Sequence, residues 1–218
     1  MSNKTLFLGS VAALLVAFTT VTVTYKRNKA RQLAQMAENN SAPLVREHSP
    51  TLGKPDAPVV IVEFIDPACE TCSTFYPLVK QMLAKNPDSV RLVLRYAPFH
   101  NGSDKVVAVV EAARRQGKFW LALEALLAAQ AGWAPHHTAQ VDLVWNHLGG
   151  LGLDFKKMRA DMGAPEIKAL IALDMEDIRA LNVTKTPAFF VNGKPLTNFG
   201  YEPLKKLIED ELNEQRRW

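Results

Sequence analysis

The apolar positions change period several times along the chain, and each change marks an element. Ala57–Ile65 (APVVIVEFI) is a short, β-branched, nearly unbroken apolar run, which predicts a strand buried on both faces. Glu63 is the one charge inside it. The segment STFYPLVKQMLAKN then takes helical spacing, with Phe75, Leu78, Val79, Met82 and Leu83 on one side. Pro77 falls inside that helix and is expected to kink it. Ser89–Tyr96 (SVRLVLRY) alternates as a strand, so the first unit reads β–α–β with parallel strands and a right-handed crossover. Five helices are predicted next, at Asp104–Gln116, Lys118–Ala129, Thr138–Leu148, Asp154–Met162 and Pro165–Leu181. The pattern returns to β at Ala188–Val191, turns at Asn192-Gly193 and continues over Lys194–Thr197 as an antiparallel hairpin. A last helix is expected over Pro203–Asn213. This order, βαβ, helices, then ββα, predicts an α/β fold in which a small sheet carries a helical insertion at about 103–182.

Ahead of the fold, no charged residue occurs from Thr5 to Tyr25. About 20 apolar residues are enough to cross a bilayer. Residues 1–25 are therefore expected to form one N-terminal transmembrane helix, an anchor or signal-anchor. A cleaved signal peptide is the rival, but the apolar run is long for one and its end lacks a clear A-x-A site. Residues 26–50 are polar, with Pro43 and Pro50 toward the end, and read as a tether. The folded domain is then 51–218.

Charge changes the picture in one respect. The formal net charge of +4 sits entirely in residues 1–50, and residues 51–218 carry equal numbers of basic and acidic side chains. A balanced folded part argues against a nucleic-acid partner.

The candidate chemistry lies in FIDPACETC, where the chain's only two cysteines, Cys69 and Cys72, stand three apart. They could be a redox dithiol, half of a metal site, or a buried pair. Two cysteines cannot complete a Cys₄ or Cys₃His zinc site, and adjacent His136 and His137 lack the spacing of a Cys₂His₂ site. Placement favours the dithiol. At the first turn of a helix, unpaired N–H groups and the helix dipole lower the pKa of the Cys69 thiol and populate its thiolate, the nucleophile of exchange. Cys72, one turn on, is expected to be more buried and able to close a ring on the first sulfur, leaving Cys69 as the exposed thiol. Glu63, if buried, must be protonated or paired; a strand-end Glu reaching solvent is the alternative. The tryptophans Trp120, Trp133 and Trp145 read as packing residues, and Met158, Met162 and Met175 as core.

Over roughly residues 52–213 the chain resembles thioredoxin-fold thiol:disulfide oxidoreductases of the DsbA-like type. The resemblance rests on VEFIDPACETC, on Pro77 five residues after the second cysteine, on QGKFW (Gln116–Trp120), and on VTKTPAFFVNGKPL. It implies a cis-proline loop at Thr186-Pro187, where an extended substrate pairs with the backbone of Thr186, unless these two residues form a plain turn. It implies that Glu63 acts through water on the second cysteine. Pro67, Glu70 and Thr71 flank the pair, and Glu70-Thr71 departs from the dipeptides of the oxidising members. A negative charge beside Cys69 opposes the dipole and makes a weaker oxidant, and a threonine before the proline is similar to the isomerase and reductase branch. Those relatives dimerise through an extra N-terminal domain that residues 26–50 are too short to supply.

The implied activity is disulfide exchange with cysteine-containing client proteins, with a membrane redox partner recycling the pair and with no metal or organic cofactor. A soft-metal module holding Cu(I) through the same sulfurs is the alternative. The resemblance further implies the bacterial inner membrane, with the lipid bilayer engaged through the N-terminal helix and a periplasmic catalytic domain. Lys26, Arg27, Lys29 and Arg31 after the span favour the opposite topology.

Overall fold

Val59–Ile65 forms the central strand, β2, of a five-stranded mixed sheet. The structure is a computed structural model that describes residues 17–25 and 44–216. In chain order the elements are β1 (Thr51–Leu52), β2, α1 (Glu70–Lys85), β3 (Val90–Tyr96), α2 (Ser103–Arg114) and α3 (Phe119–Ala128). They continue as α4 (Val141–Val144), α5 (Phe155–Asp161), α6 (Pro165–Ala180), β4 (Ala188–Val191), β5 (Lys194–Pro195) and α7 (Tyr201–Gln215). The strand order is β1-β3-β2-β4-β5, with β2 and β3 parallel and every other pair antiparallel.

Alternation along β2 divides the interior in two. Val59, Ile61 and Ile65 join the larger core with the buried face of α1 (Cys72, Phe75, Tyr76, Val79, Met82 and Leu83). Val62 and Phe64 point the other way, into a smaller core with Val93, Ile178, Leu181 and Phe190. Glu63 therefore enters on the face of Ile61 and Ile65, the face that the cysteine-bearing helix covers. Trp133, Trp145 and Met158 are buried in the larger core, and Met175 packs against the smaller one.

Pro58 carries no N–H, and the ladder of β2 begins just after it rather than at Ala57. Asn192 and Gly193 both take positive φ, 46° and 84°, which matches a tight hairpin turn whose twist suits the flanking strands. β5 stops at Pro195, shorter than the expected Lys194–Thr197, although the N–H of Leu196 still reaches the Phe189 carbonyl at 2.8 Å. The helix expected over Thr138–Leu148 is only the four-residue α4 running into a 3₁₀ turn at Trp145–His147. No side chain caps it, and Val144, Trp145 and Leu148 bury themselves without a regular helix.

The expected tether is corrected at its end. Arg46 bonds Asp177 through Nε at 2.9 Å and Nη2 at 2.8 Å, and His48 Nε2 stands 2.8 Å from Asp174. The Leu44 carbonyl accepts from Arg95 at 3.0 Å, and the His48 carbonyl accepts from Arg114. Residues 44–50 are part of the domain, because their polar groups complete a buried ion network. Of the expected membrane anchor, residues 17–25 are helical and residues 1–16 lie outside the described residues, as do residues 26–43 of the tether. No helix of the described residues is long and apolar enough to cross a membrane.

Candidate active site

Cys69 is the N-cap of α1, one residue ahead of the helical turn where the spacing places it. Its backbone is extended (φ −81°, ψ 116°), as at an N-cap, and the backbone N–H groups of Thr71 and Cys72 bear on its sulfur. The structure holds both cysteines as free thiols. Cys69 is 4% exposed and Cys72 0%, so the expected order of burial holds while the expectation of an exposed Cys69 does not.

The two sulfurs are unequal. A hydrogen bond from Cys72 lowers the Cys69 thiol to about 5, helped by Thr186 and by the backbone N–H groups of Cys72 and Thr71, against the opposing effect of burial. Cys72 moves the other way, well above an ordinary thiol, because burial, the bond it gives Cys69 and the charges of Cys69 and Glu63 all disfavour its thiolate. Cys69 is thus a thiolate at neutral pH, with the proton kept on its neighbour.

The loop before β4 closes the site. Thr186-Pro187 is a cis peptide, as the resemblance implies, and the Thr186 carbonyl stands 3.5 Å from Cys69 Sγ. Glu63 is 0% exposed, and neither carboxylate oxygen has a hydrogen-bond partner among the described residues. Burial raises it to about 8, so at neutral pH it is mostly the neutral acid. The strand-end alternative for Glu63 is excluded.

Sequence reasoning missed Asp66. It is fully buried between β2 and α1, where Oδ1 accepts from the Ala68 N–H at 2.8 Å and from the Ser103 hydroxyl. Oδ2 accepts from the N–H groups of Phe99 and His100 at 2.7 and 2.8 Å and lies 2.6 Å from His100 Nδ1. One carboxylate thereby joins the loop after β2 to the loop after β3. The Pro67 carbonyl accepts from Gln130 at 2.7 Å, which fastens the same loop to the helical insertion. An acid just before the cysteine motif was the only local signal. Among the described residues no group of three or more His, Cys, Asp or Glu is placed to hold a metal ion. The Cu(I) reading has only the two sulfurs to rest on.

This combination of βαβ and ββα halves with an unequal Cys-x-x-Cys pair under a cis-proline loop has a match among known families. The family profile described as Thioredoxin covers residues 46–210. The chain belongs to the thioredoxin family. Among its thioredoxin-family relatives, a probable disulfide bond formation protein D of Bacillus anthracis is 28% identical over 226 residues, covering 97% of this chain and 98% of that protein. A Na(+)/H(+) antiporter NhaA of Herminiimonas arsenicoxydans is 28% identical over 144 residues, 66% of this chain. The match spans only 22% of that antiporter's length. Among solved structures, a thioredoxin-like oxidoreductase from Silicibacter pomeroyi aligns with a TM-score of 0.68 at 28% identity, covering 83% of this chain and 99% of that one.

Proposed function

We propose that the protein is a thiol:disulfide oxidoreductase that oxidises protein cysteines, with Cys69 as the exchanging sulfur and Cys72 as its disulfide partner, released in oxidation and resolving the mixed disulfide in the reverse direction. The observation that carries this reading is the inequality of the two hydrogen-bonded thiols, one lowered to about 5 and the other pushed up. A client thiolate attacks Cys69 of the oxidised pair, forming a mixed disulfide, and Cys72 leaves as a thiolate. Glu63, neutral near pH 7 and close enough for its charge to bear on Cys72, supplies the proton that this leaving sulfur takes up. The client's second thiolate then attacks the mixed disulfide, and Cys69 departs as a stable thiolate. The client loses two electrons and the pair gains them. A stabilised leaving thiolate makes the pair an oxidant, and the relative named for disulfide bond formation supports that direction.

Thr186 supports client binding, since its carbonyl lies beside the reacting sulfur where an extended segment can align. The pair returns to the disulfide by passing its electrons to a membrane redox partner. Residues 1–25 anchor the chain in the bacterial inner membrane, and the domain faces the periplasm, where disulfides persist. A membrane-impermeant maleimide applied to reduced intact cells labels Cys69 under this topology; labelling only after lysis refutes it.

Trapping tests the chemistry. Cys72→Ser, mixed with disulfide-bearing client proteins, accumulates reductant-sensitive adducts through Cys69. Cys69→Ser accumulates none. Equal adducts from both variants would overturn the assignment of roles.

A further inference from the structure

His137 stands 67 residues after Glu70 in sequence, yet the structure brings its ring to the first turn of the active-site helix. Its Nδ1 lies 3.4 Å from the backbone N of Glu70, which donates to it, and its Nε2 lies 4.0 Å from the Glu70 carboxylate. One neutral form fits both contacts, with Nδ1 bare as the acceptor and Nε2 carrying its proton toward the carboxylate. On its other side the ring stacks on His100, with centroids 4.7 Å apart and planes 17° from parallel. His100 in turn is fixed by Asp66 at 2.6 Å.

The backbone also marks the place. His136 and His137 take φ of 52° and 59°, a left-handed conformation that non-glycine residues keep only where their surroundings hold them. From that conformation His137 meets Glu70 and His100. The charged and titratable groups around this arrangement are Glu70 on α1, His100 and Asp66 from the two loops, and Cys69, Cys72 and Glu63 behind the first turn.

Glu70 is the feature that should work against the site. Its carboxylate follows Cys69 directly, and a like charge near a thiolate destabilises it. Its backbone N–H has no intrahelical acceptor at the helix start and is taken by the His137 ring. We propose that His137 is a positioning residue for the exchange reaction, clamping Glu70 by both its N–H and its carboxylate so that the negative side chain is held on the His137 side and away from the Cys69 sulfur. This rests on the reading of Cys69 as the exchanging thiol. It gives the helical insertion a part in tuning the dithiol: the loop between α3 and α4 delivers the ring that offsets the dipeptide's own charge.

The test is a cycle in the full-length reduced protein, using wild type, His137→Gly, Glu70→Gln and the double variant. Glycine removes the ring while accepting the left-handed backbone. The readouts are the pH profile of Cys69 alkylation and the reduction potential against glutathione. At pH 7, His137→Gly is expected to reduce the stabilisation of the Cys69 thiolate about three- to tenfold, as loss of one hydrogen bond to the first turn would. The potential becomes less oxidising, by about 30 mV for a tenfold change. In the Glu70→Gln background the same substitution changes both by less than about twofold. If His137→Gly does not fold, His137→Asn keeps the acceptor and the backbone but cannot reach the carboxylate, and the same shift with a smaller size is expected. An unmoved alkylation profile and potential overturn the proposal, as does a shift of equal size with and without the Glu70 carboxylate. A wild-type Cys69 that titrates as an ordinary thiol refutes the exchange reading itself, whereas a low wild-type value with unmoved variants refutes only the role of His137.

Discussion

On one face of the sheet β2 buries Glu63 with no hydrogen-bond partner among the described residues, and on the other face β3 meets Asp174 and Asp177, buried and engaged by Arg95. Arg95 bonds Asp174 at 2.7 and 3.0 Å and Asp177 at 2.5 Å, and the Tyr96 N–H gives Asp174 a further bond at 2.8 Å. Burial pushes the Asp177 carboxyl up, but hydrogen bonds and charge from Arg46 and Arg95 outweigh it and hold it below the ordinary value. Glu63 has only the burial, and rises to about 8. The same residue class is thus held ionised near neutral pH at Asp177 on one face and mostly protonated at Glu63 on the other. The paired acids hold the chain together, and the unpaired one can move a proton.

Breaking the paired side should cost most. Arg95→Met leaves two carboxylates buried without their main partner and is expected to lower stability by about 3–5 kcal/mol at pH 7. Denaturant unfolding measures it. Adding Asp174→Asn and Asp177→Asn recovers much of the loss; a single-variant loss under about 1 kcal/mol would mean the network carries little.

Removing the unpaired acid should do the reverse. Glu63 is raised in the folded chain, so its contribution is fully present below the ordinary carboxylate range and is lost as pH rises toward about 8. Glu63→Gln has no such loss and gains on wild type by about 2–4 kcal/mol between pH 5 and pH 8. It also slows formation of the mixed disulfide from the oxidised pair. A pH-independent stability difference would show that Glu63 ionises freely in the fold.

Asp177→Asn sharpens the contrast with a smaller change. A lowered carboxyl contributes stability above its unfolded value that disappears as pH falls through the folded one. The variant should lose about 1–3 kcal/mol at pH 7, and the loss should shrink as pH falls below the ordinary carboxylate range. A loss that persists in acid would assign the effect to packing.

What the sequence revealed divides along the same line. The strands, the long helices and the Cys-x-x-Cys site were legible because each is written locally, in apolar period, in Asn192-Gly193, or in two cysteines at a helix start. Glu63 stood out because a charge inside an apolar strand breaks its own pattern. Asp66, Arg95, Asp174 and His137 were not legible, since an isolated Asp, Arg or His in a polar or amphipathic segment looks the same whether it is solvated or meets a partner 34 or 79 residues away. Residues 44–50 and β1 were missed for the same reason, being fixed by long-range bonds and by pairing with β3 rather than by period. The helix expected at Thr138–Leu148 failed where three-dimensional packing overrode a periodic pattern.

The central claim is that the fold makes one cysteine an anion and keeps the proton on the other. The most direct measurement is the pH dependence of alkylation at each sulfur in the reduced wild-type protein, resolved by peptide mapping. Cys69 is predicted to label with a midpoint near its lowered value of about 5, and Cys72 to stay unlabelled through pH 8. Equal labelling, or Cys72 reacting first, would contradict the account.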